Sequence, residues 1–228
     1  MGSGMVSLLR RQGATVIVAD ICILEEKGDE IRLDITHEES VRKGVDHILA
    51  THGRIDGWVN NAYPRTADWG KKLEEVSFNS WKTNVDMHLN GYFICCQYVL
   101  KQMKAQRCGS LVNMSSIYGV VAPDFKIYDD TDMTTPAAYS AIKGGILSLT
   151  RYLASYYGPF GIRVNSISPG GIYDGQTDSF VKKYEEKTPL GRMGRIDDIA
   201  PAVVYLLSDE SAYVTGHNLV IDGGWSTV

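Results

Sequence analysis

The sequence predicts an α/β fold, a doubly wound parallel sheet carrying helices on both faces. Three observations predict it. Short apolar, β-branched runs alternate with amphipathic stretches from one end to the other, the pattern of strands joined by crossover helices. Polar or glycine-containing clusters follow those runs directly, at Asn60-Asn61, Ser115-Ser116 and Pro169-Gly170-Gly171. Such positions fall at the carboxyl ends of strands, where open α/β sheets hold ligands. Nothing repeats at a fixed period of roughly 20–50 residues, which excludes a solenoid.

A first helix is expected over Met5–Gln12, preceded by Gly2 and Gly4 and stopped by a turn at Gly13. Thr15–Ala19 then reads as a strand leading into Asp20, and Ile31–Ile35 as the next. Ten residues separate Asp20 from Ile31, fewer than the dozen or more of a crossover helix. Glu38–Thr51 carries Val41, Val45, Ile48 and Leu49 at helical spacing after the polar Thr36-His37. Trp58-Val59 is a strand, and Trp81–Met103 one long, largely apolar helix. Strand Leu111–Met114, helix Pro136–Tyr157, strand Val164–Ile167, helix Asp197–Leu207 and strand Leu219–Ile221 complete the set, with Tyr173–Pro189 expected as a mobile lid. No low-complexity linker interrupts this, so residues 1–228 are expected to form a single domain. A dinucleotide-binding fold opens with strand, glycine-rich turn and helix. Here no strand precedes the first helix. The sheet is therefore expected to lack its first strand, to close the gap by shifting a neighbour or fold only marginally, and to hold a dinucleotide weakly.

Composition narrows the function. Hydrophobic residues make up 44% and charged residues 22%, as in globular proteins. The 23 basic and 27 acidic residues give a net charge of −4, a poor basis for binding nucleic acid. No run approaches the ~20 apolar residues of a membrane helix, and the start has no secretory pattern. Cys22, Cys95, Cys96 and Cys108 contain no C-x-x-C, which predicts free thiols in a reducing, cytoplasmic setting. The five histidines are scattered and form no metal-ligand set.

Chemistry concentrates in a few residues. Asp20, ending its strand, can accept hydrogen bonds from an adenosine ribose and repel a 2′-phosphate, which selects NAD over NADP. Tyr139 and Lys143 stand four apart on a helix and share a face. A phenol is a poor base at neutral pH, and a nearby ammonium lowers its pKa, so the pair can move a proton to or from a substrate oxygen. Ser116, at a strand end, can hold that oxygen. Asn60, Asn61 and Ala62 follow another strand and can line the adenosine side of a cleft. At Pro169-Gly170 the missing side chain lets backbone approach a ligand.

Together with Asp34, Arg163, Asn165 and the ending Ile221-Asp222-Gly223-Gly224, these residues resemble the short-chain dehydrogenase/reductase family. The resemblance runs from Gly2 to the carboxyl terminus. More narrowly, the segments from Asn61 to Arg65, Ser116 to Pro123 and Ser168 to Ile172 look like the flagellin-modification protein A type, which is associated with nucleotide-sugar or amino-sugar pathways. The resemblance implies a Rossmann-like domain binding NAD. In it Tyr139 is the general acid/base, Lys143 lowers its pKa and holds the nicotinamide ribose, so that both also bind the cofactor, and Ser116 holds the substrate oxygen. His88 occupies the place of the family's catalytic asparagine. Gly2 matches the last glycine of the phosphate loop, and Asp34, Asn60, Asn61, Ala62, Pro169, Gly170 and Ile172 line the cofactor. Arg65 would meet a substrate phosphate or carboxylate. A small-molecule, sugar-like substrate and a homotetramer or homodimer are also implied. Two departures stand out: Asp174 sits where many members place a threonine, and Ser116 and Tyr139 lie 23 residues apart, about ten more than usual. The extra segment, 121–135, carries Asp124, Asp129, Asp130 and Asp132 and would border the substrate as an acidic edge. The absent phosphate loop favours a second reading, a non-catalytic sugar-binding or assembly subunit.

Overall fold

The computed structural model describes residues 1–228. Helix α1 (Gly2–Arg11) leads to β1 (Val18–Asp20), which pairs in parallel with β2 (Glu30–Arg32). After α2 (Glu38–His52) come β3 (Gly57–Asn60), α3 (Phe78–Val85), α4 (Gly91–Gln106), β4 (Gly109–Met114), α5 (Ala137–Tyr157), β5 (Ile162–Pro169), α6 (Asp178–Lys187), α7 (Ile196–Leu207) and β6 (Asn218–Ile221). All strand pairs are parallel.

Alternation along the central strands builds two cores. Leu111 and its register partner Val164 face α2, α4 and α5, where they pack with Val41, Val45, Cys95, Val99 and Leu153. Val112, Met114 and Ile167 point the other way, into a core made with Met5 of α1 and Ile199, Val203 and Leu206 of α7. Adjacent residues of one strand thus serve opposite helical layers, as the period of two requires. No helix is long and apolar enough to cross a membrane.

The expected strands and helices form, with three differences. The sheet does not close. β1 and β2 make one ladder and β3-β4-β5-β6 another, with no strand shifted between them. Each half is fixed from its face: Ile31 by the α2–α4 layer, and β3 by its register with β4. Sliding β1 across would pull those side chains out of their shared core. Second, β1 and β2 pair in parallel without a crossover helix. Each strand has only three residues, about 10 Å of chain, so a short loop covers the return. Third, the helix expected over Trp81–Met103 is broken by a π-helical turn at Asp86–Asn90, and α6 forms inside the segment expected as a lid. π-turns are frequent at functional sites, and this one carries His88.

Candidate active site

The carboxyl end of β4 brings the sequence-predicted catalytic residues together. Ser115 and Ser116 follow β4 directly and are buried. The Ser115 hydroxyl donates to the Lys143 carbonyl at 2.9 Å, pinning this strand end to α5. Ser116 Oγ accepts the Tyr118 N–H at 3.2 Å, and the same hydroxyl lies beside the Tyr139 phenol, whose pKa it lowers. The approach is close because residue 119 is glycine. A Cβ there would stand 2.7 and 2.8 Å from the backbone C and O of Lys143. Gly119→Ala is expected to cost about 1–3 kcal/mol, the range for overpacking, and to displace Lys143. Chemical denaturation beside wild type checks it, and an unchanged midpoint would show that α5 yields freely.

Tyr139 and Lys143 share the inner face of α5 as their spacing requires. Lys143 is buried, donates from Nζ to the Met114 carbonyl at 2.8 Å, and lies 5.5 Å from the centre of the Tyr139 ring. No carboxylate pairs with it. Burial alone pulls its pKa from 10.5 down to about 7, because a charged amine in a poorly solvated place is costly. Burial pushes the Tyr139 phenol up, and the Ser116 hydroxyl partly offsets this. At neutral pH the phenol holds its proton.

His88 is completely buried, with Nε2 at 3.4 Å from Lys143 Nζ and Nδ1 without any partner. Burial first, and then the neighbouring Lys143, bring its pKa down to about 3, so the ring is neutral. Tyr63, Trp69 and Tyr118 surround Tyr139 edge-on. Sequence reasoning did not single out Trp69, and it treated Tyr63 and Tyr118 only as parts of motifs. Their one legible signal is the density of aromatic residues just after β3 and β4.

The residues assigned to a cofactor divide. Gly2 opens α1 beside Asn61, since a Cβ on Gly2 would lie 3.3 Å from Asn61 Nδ2. Asn61 Oδ1 is buried with no partner. The first turn of α1 holds no acidic residue, so an anion meets only the positive end of the helix dipole. Asp20 stands exposed at the end of β1, with one oxygen accepting the Cys22 N–H at 2.9 Å. An orphan amide oxygen, a helix start and a strand-end carboxylate fit a dinucleotide. Ala62 is exposed beside them, its carbonyl accepting from the Tyr92 hydroxyl.

Other assignments look different in the folded chain. The Asn60 side chain turns into the core, donating to Asn113 Oδ1 at 2.8 Å and to Cys96 Sγ at 3.3 Å. It braces β3 against β4 and α4 and does not line a cleft. The Asp34 carboxylate is taken up locally by Thr36 and His37. Pro169 ends β5, and the Gly170 N–H donates to Ile221. A Cβ on Gly170 would strike the Asp222 backbone at 2.8 Å, and one on Gly171 the Tyr184 ring at 2.7 Å. Close protein packing, and not room for a ligand, therefore requires these glycines. Ile172 bridges to Gly194. Asp174 is exposed. Two of the four carboxylates in the acidic edge of 121–135 are neutralised: Asp124 pairs with Lys187 at 2.5 Å and Asp130 with Lys183 at 3.3 Å, both lysines on α6. Arg65 is exposed over the Tyr63 ring, 5.5 Å from its centre.

Known proteins place this geometry in a family. The family described as enoyl-(acyl carrier protein) reductase matches residues 1–226. The post-translational flagellin modification protein A of Campylobacter coli is 41% identical over 196 residues, 86% of this chain and 77% of that protein. The cis-4-hydroxycyclohexanecarboxylate dehydrogenase of Sinomonas cyclohexanicum is 30% identical over 243 residues, 100% of this chain and 93% of that protein. Among solved structures, a short-chain dehydrogenase from Leptospira borgpetersenii with bound NAD+ superposes with a TM-score of 0.89 at 35% identity, covering 99% of this chain and 88% of the other.

Proposed function

This chain belongs to the short-chain dehydrogenase/reductase family, and we propose that within it the chain is an NAD(H)-dependent oxidoreductase. It would interconvert an alcohol and a carbonyl on a sugar or nucleotide-sugar derivative, in the modification of a surface glycan such as that of flagellin. The observation that carries the reading is the convergence of Ser116, Tyr139 and Lys143 at the carboxyl end of β4. The similarity to a flagellin modification protein supports the substrate class.

Gly2, Asp20 and Asn61 would hold the dinucleotide, with Ile172 nearer the reacting end. A bound nicotinamide supplies or accepts the hydride. The Ser116 hydroxyl orients the substrate oxygen. In the reducing direction Tyr139 donates its phenolic proton to that oxygen, and the phenolate left behind favours the protonated form of Lys143, which stabilises it in turn. In the oxidising direction the phenolate must form first, so alcohol oxidation rises with pH while carbonyl reduction is already competent at neutral pH. His88, neutral and against Lys143, would pass the replacing proton or hold the water that does. The whole of 1–228 serves as one dinucleotide-binding domain. Exposed Phe93, Tyr152 and Tyr156 on α4 and α5 support pairing of copies into a homodimer or homotetramer. Four free thiols suit the cytoplasm.

Titration with NADH and NADPH tests the cofactor assignment. Tighter NADH binding is expected, and Asp20→Ala should narrow the difference, because ribose hydrogen bonding and repulsion of the 2′-phosphate are lost together. Tighter NADPH binding to the wild-type chain would overturn it. Absence of any nicotinamide-linked turnover over a broad panel of alcohols and carbonyls would sink the oxidoreductase reading.

A further inference from the structure

Three aromatic rings enclose the Tyr139 ring. Tyr63 stands 5.7 Å away at 81°, Trp69 6.2 Å at 86° and Tyr118 6.5 Å at 85°, and Tyr63 and Trp69 meet each other at 5.8 Å. Two segments supply them: the connection between β3 and α3 carries Tyr63 and Trp69, and the turn after β4 carries Tyr118. Several of the polar groups that would read a multiply hydroxylated ligand are already committed. The Tyr118 hydroxyl bonds that of Tyr128, which in turn bonds Thr135. Asp124 and Asp130 are held by α6 lysines. A charged group without an ion-pair partner stands at the rim of the wall. The Arg65 guanidinium lies over the Tyr63 face, is exposed, and forms no ion pair in the chain.

We propose that Tyr63, Trp69 and Tyr118 form a wall that seats the hydrogen-bearing face of a saturated ring, and that Arg65 at its rim pairs with an anionic substituent. The substrate is then an anionic ring alcohol or the matching ring ketone. This rests on the reading of Tyr139 as the proton-transfer group, and it narrows the substrate class of the same site. The reasons are those of partition. A C–H face gives up little hydration on meeting aromatic rings, which present large apolar surface. A face rich in hydroxyls loses its water against them with no partner in return. Guanidinium is planar and lightly hydrated, and it takes a carboxylate or phosphate in bidentate fashion. Neutral free sugars therefore fit poorly. A nucleotide sugar, anionic through its diphosphate, and a ring carboxylate share the chemistry that fits.

Isothermal titration of the full chain, with NADH in excess, uses four probes: cyclohexanol, a hydroxycyclohexane carboxylate, a UDP-sugar, and an open-chain hydroxy acid with the same charge as the ring carboxylate. At least one ring anion is expected to bind about tenfold or more tighter than both the neutral ring and the open-chain acid, the scale of discrimination by pocket shape. Arg65→Ala should collapse the ratio of ring anion to neutral ring. Trp69→Ala should collapse the ratio of ring anion to open-chain acid, and Trp69→Phe should restore it. Tighter UDP-sugar identifies the anion as the diphosphate, and tighter ring carboxylate as the carboxylate. Either order supports the wall. Open-chain acid binding as tightly as the ring anions, ratios unmoved by both alanine variants, or no binding of any probe would overturn it. Turnover is read separately: binding without hydride transfer sinks the oxidoreductase reading alone, and turnover without ring preference sinks the wall alone.

Discussion

Tyr139→Phe is expected to lower kcat by about 10²–10⁴-fold, the usual contribution of a positioned general acid or base, while the protein stays folded. Phenylalanine keeps the ring that Tyr63, Trp69 and Tyr118 pack around and removes only the proton-bearing oxygen. The Ser116 hydroxyl loses a neighbour, but it still accepts from the Tyr118 amide. Steady-state kinetics with NADH, beside a thermal melt of both proteins, checks this. A Phe variant with near-normal kcat would remove Tyr139 from the mechanism whatever its surroundings. In wild type, reduction should fall and oxidation rise as pH climbs toward the phenol's pKa, which burial has raised above its usual 10.

Lys143→Met should be nearly as damaging, roughly 10²–10³-fold in kcat, the scale for losing one preorganised electrostatic partner in a buried site. Its stability signature is more distinctive. The folded chain holds Lys143 at a pKa of about 7, against 10.5 ordinarily. Between those values the unfolded chain carries a proton that the folded chain has released. Stability rises with pH wherever the unfolded state binds more protons. The cost of the buried ammonium is thus fully present below about pH 7 and gone above 10.5. Methionine has no such proton. Whatever the offset between the two proteins at pH 6, wild type should gain on Lys143→Met as pH rises through that window. Denaturant midpoints at several pH values measure it. Parallel pH dependences would mean that Lys143 keeps its charge at ordinary cost.

His88 and Asn60 show where local reading of the chain stops. The π-turn at Asp86–Asn90 lies within a stretch whose periodicity reads as continuous helix, because one extra residue in one turn hardly alters an apolar pattern. That turn nevertheless carries His88, which lies with its Nε2 beside Lys143, 55 positions away. Asn60 and Asn61 are adjacent and chemically identical, so nothing in the sequence separates their roles. Strand alternation does: it sends Asn60 into the Asn113 and Cys96 network and leaves Asn61 beside Gly2. Asp124 and Asp130 read as an acidic edge until α6, unforeseen within an expected lid, brings Lys187 and Lys183 against them.

By itself the sequence determined what depends on neighbours along the chain: alternating strands and helices, polar residues at strand ends, and Tyr139 one helical turn from Lys143. Periodicity and spacing are local, and a single segment carries them. Only the tertiary structure decided the split sheet, the depressed pKa of Lys143, the burial of His88 and the aromatic enclosure of Tyr139. Each of these depends on desolvation and on contacts between residues tens of positions apart. Those quantities take a value only when the segments close on one another and water leaves.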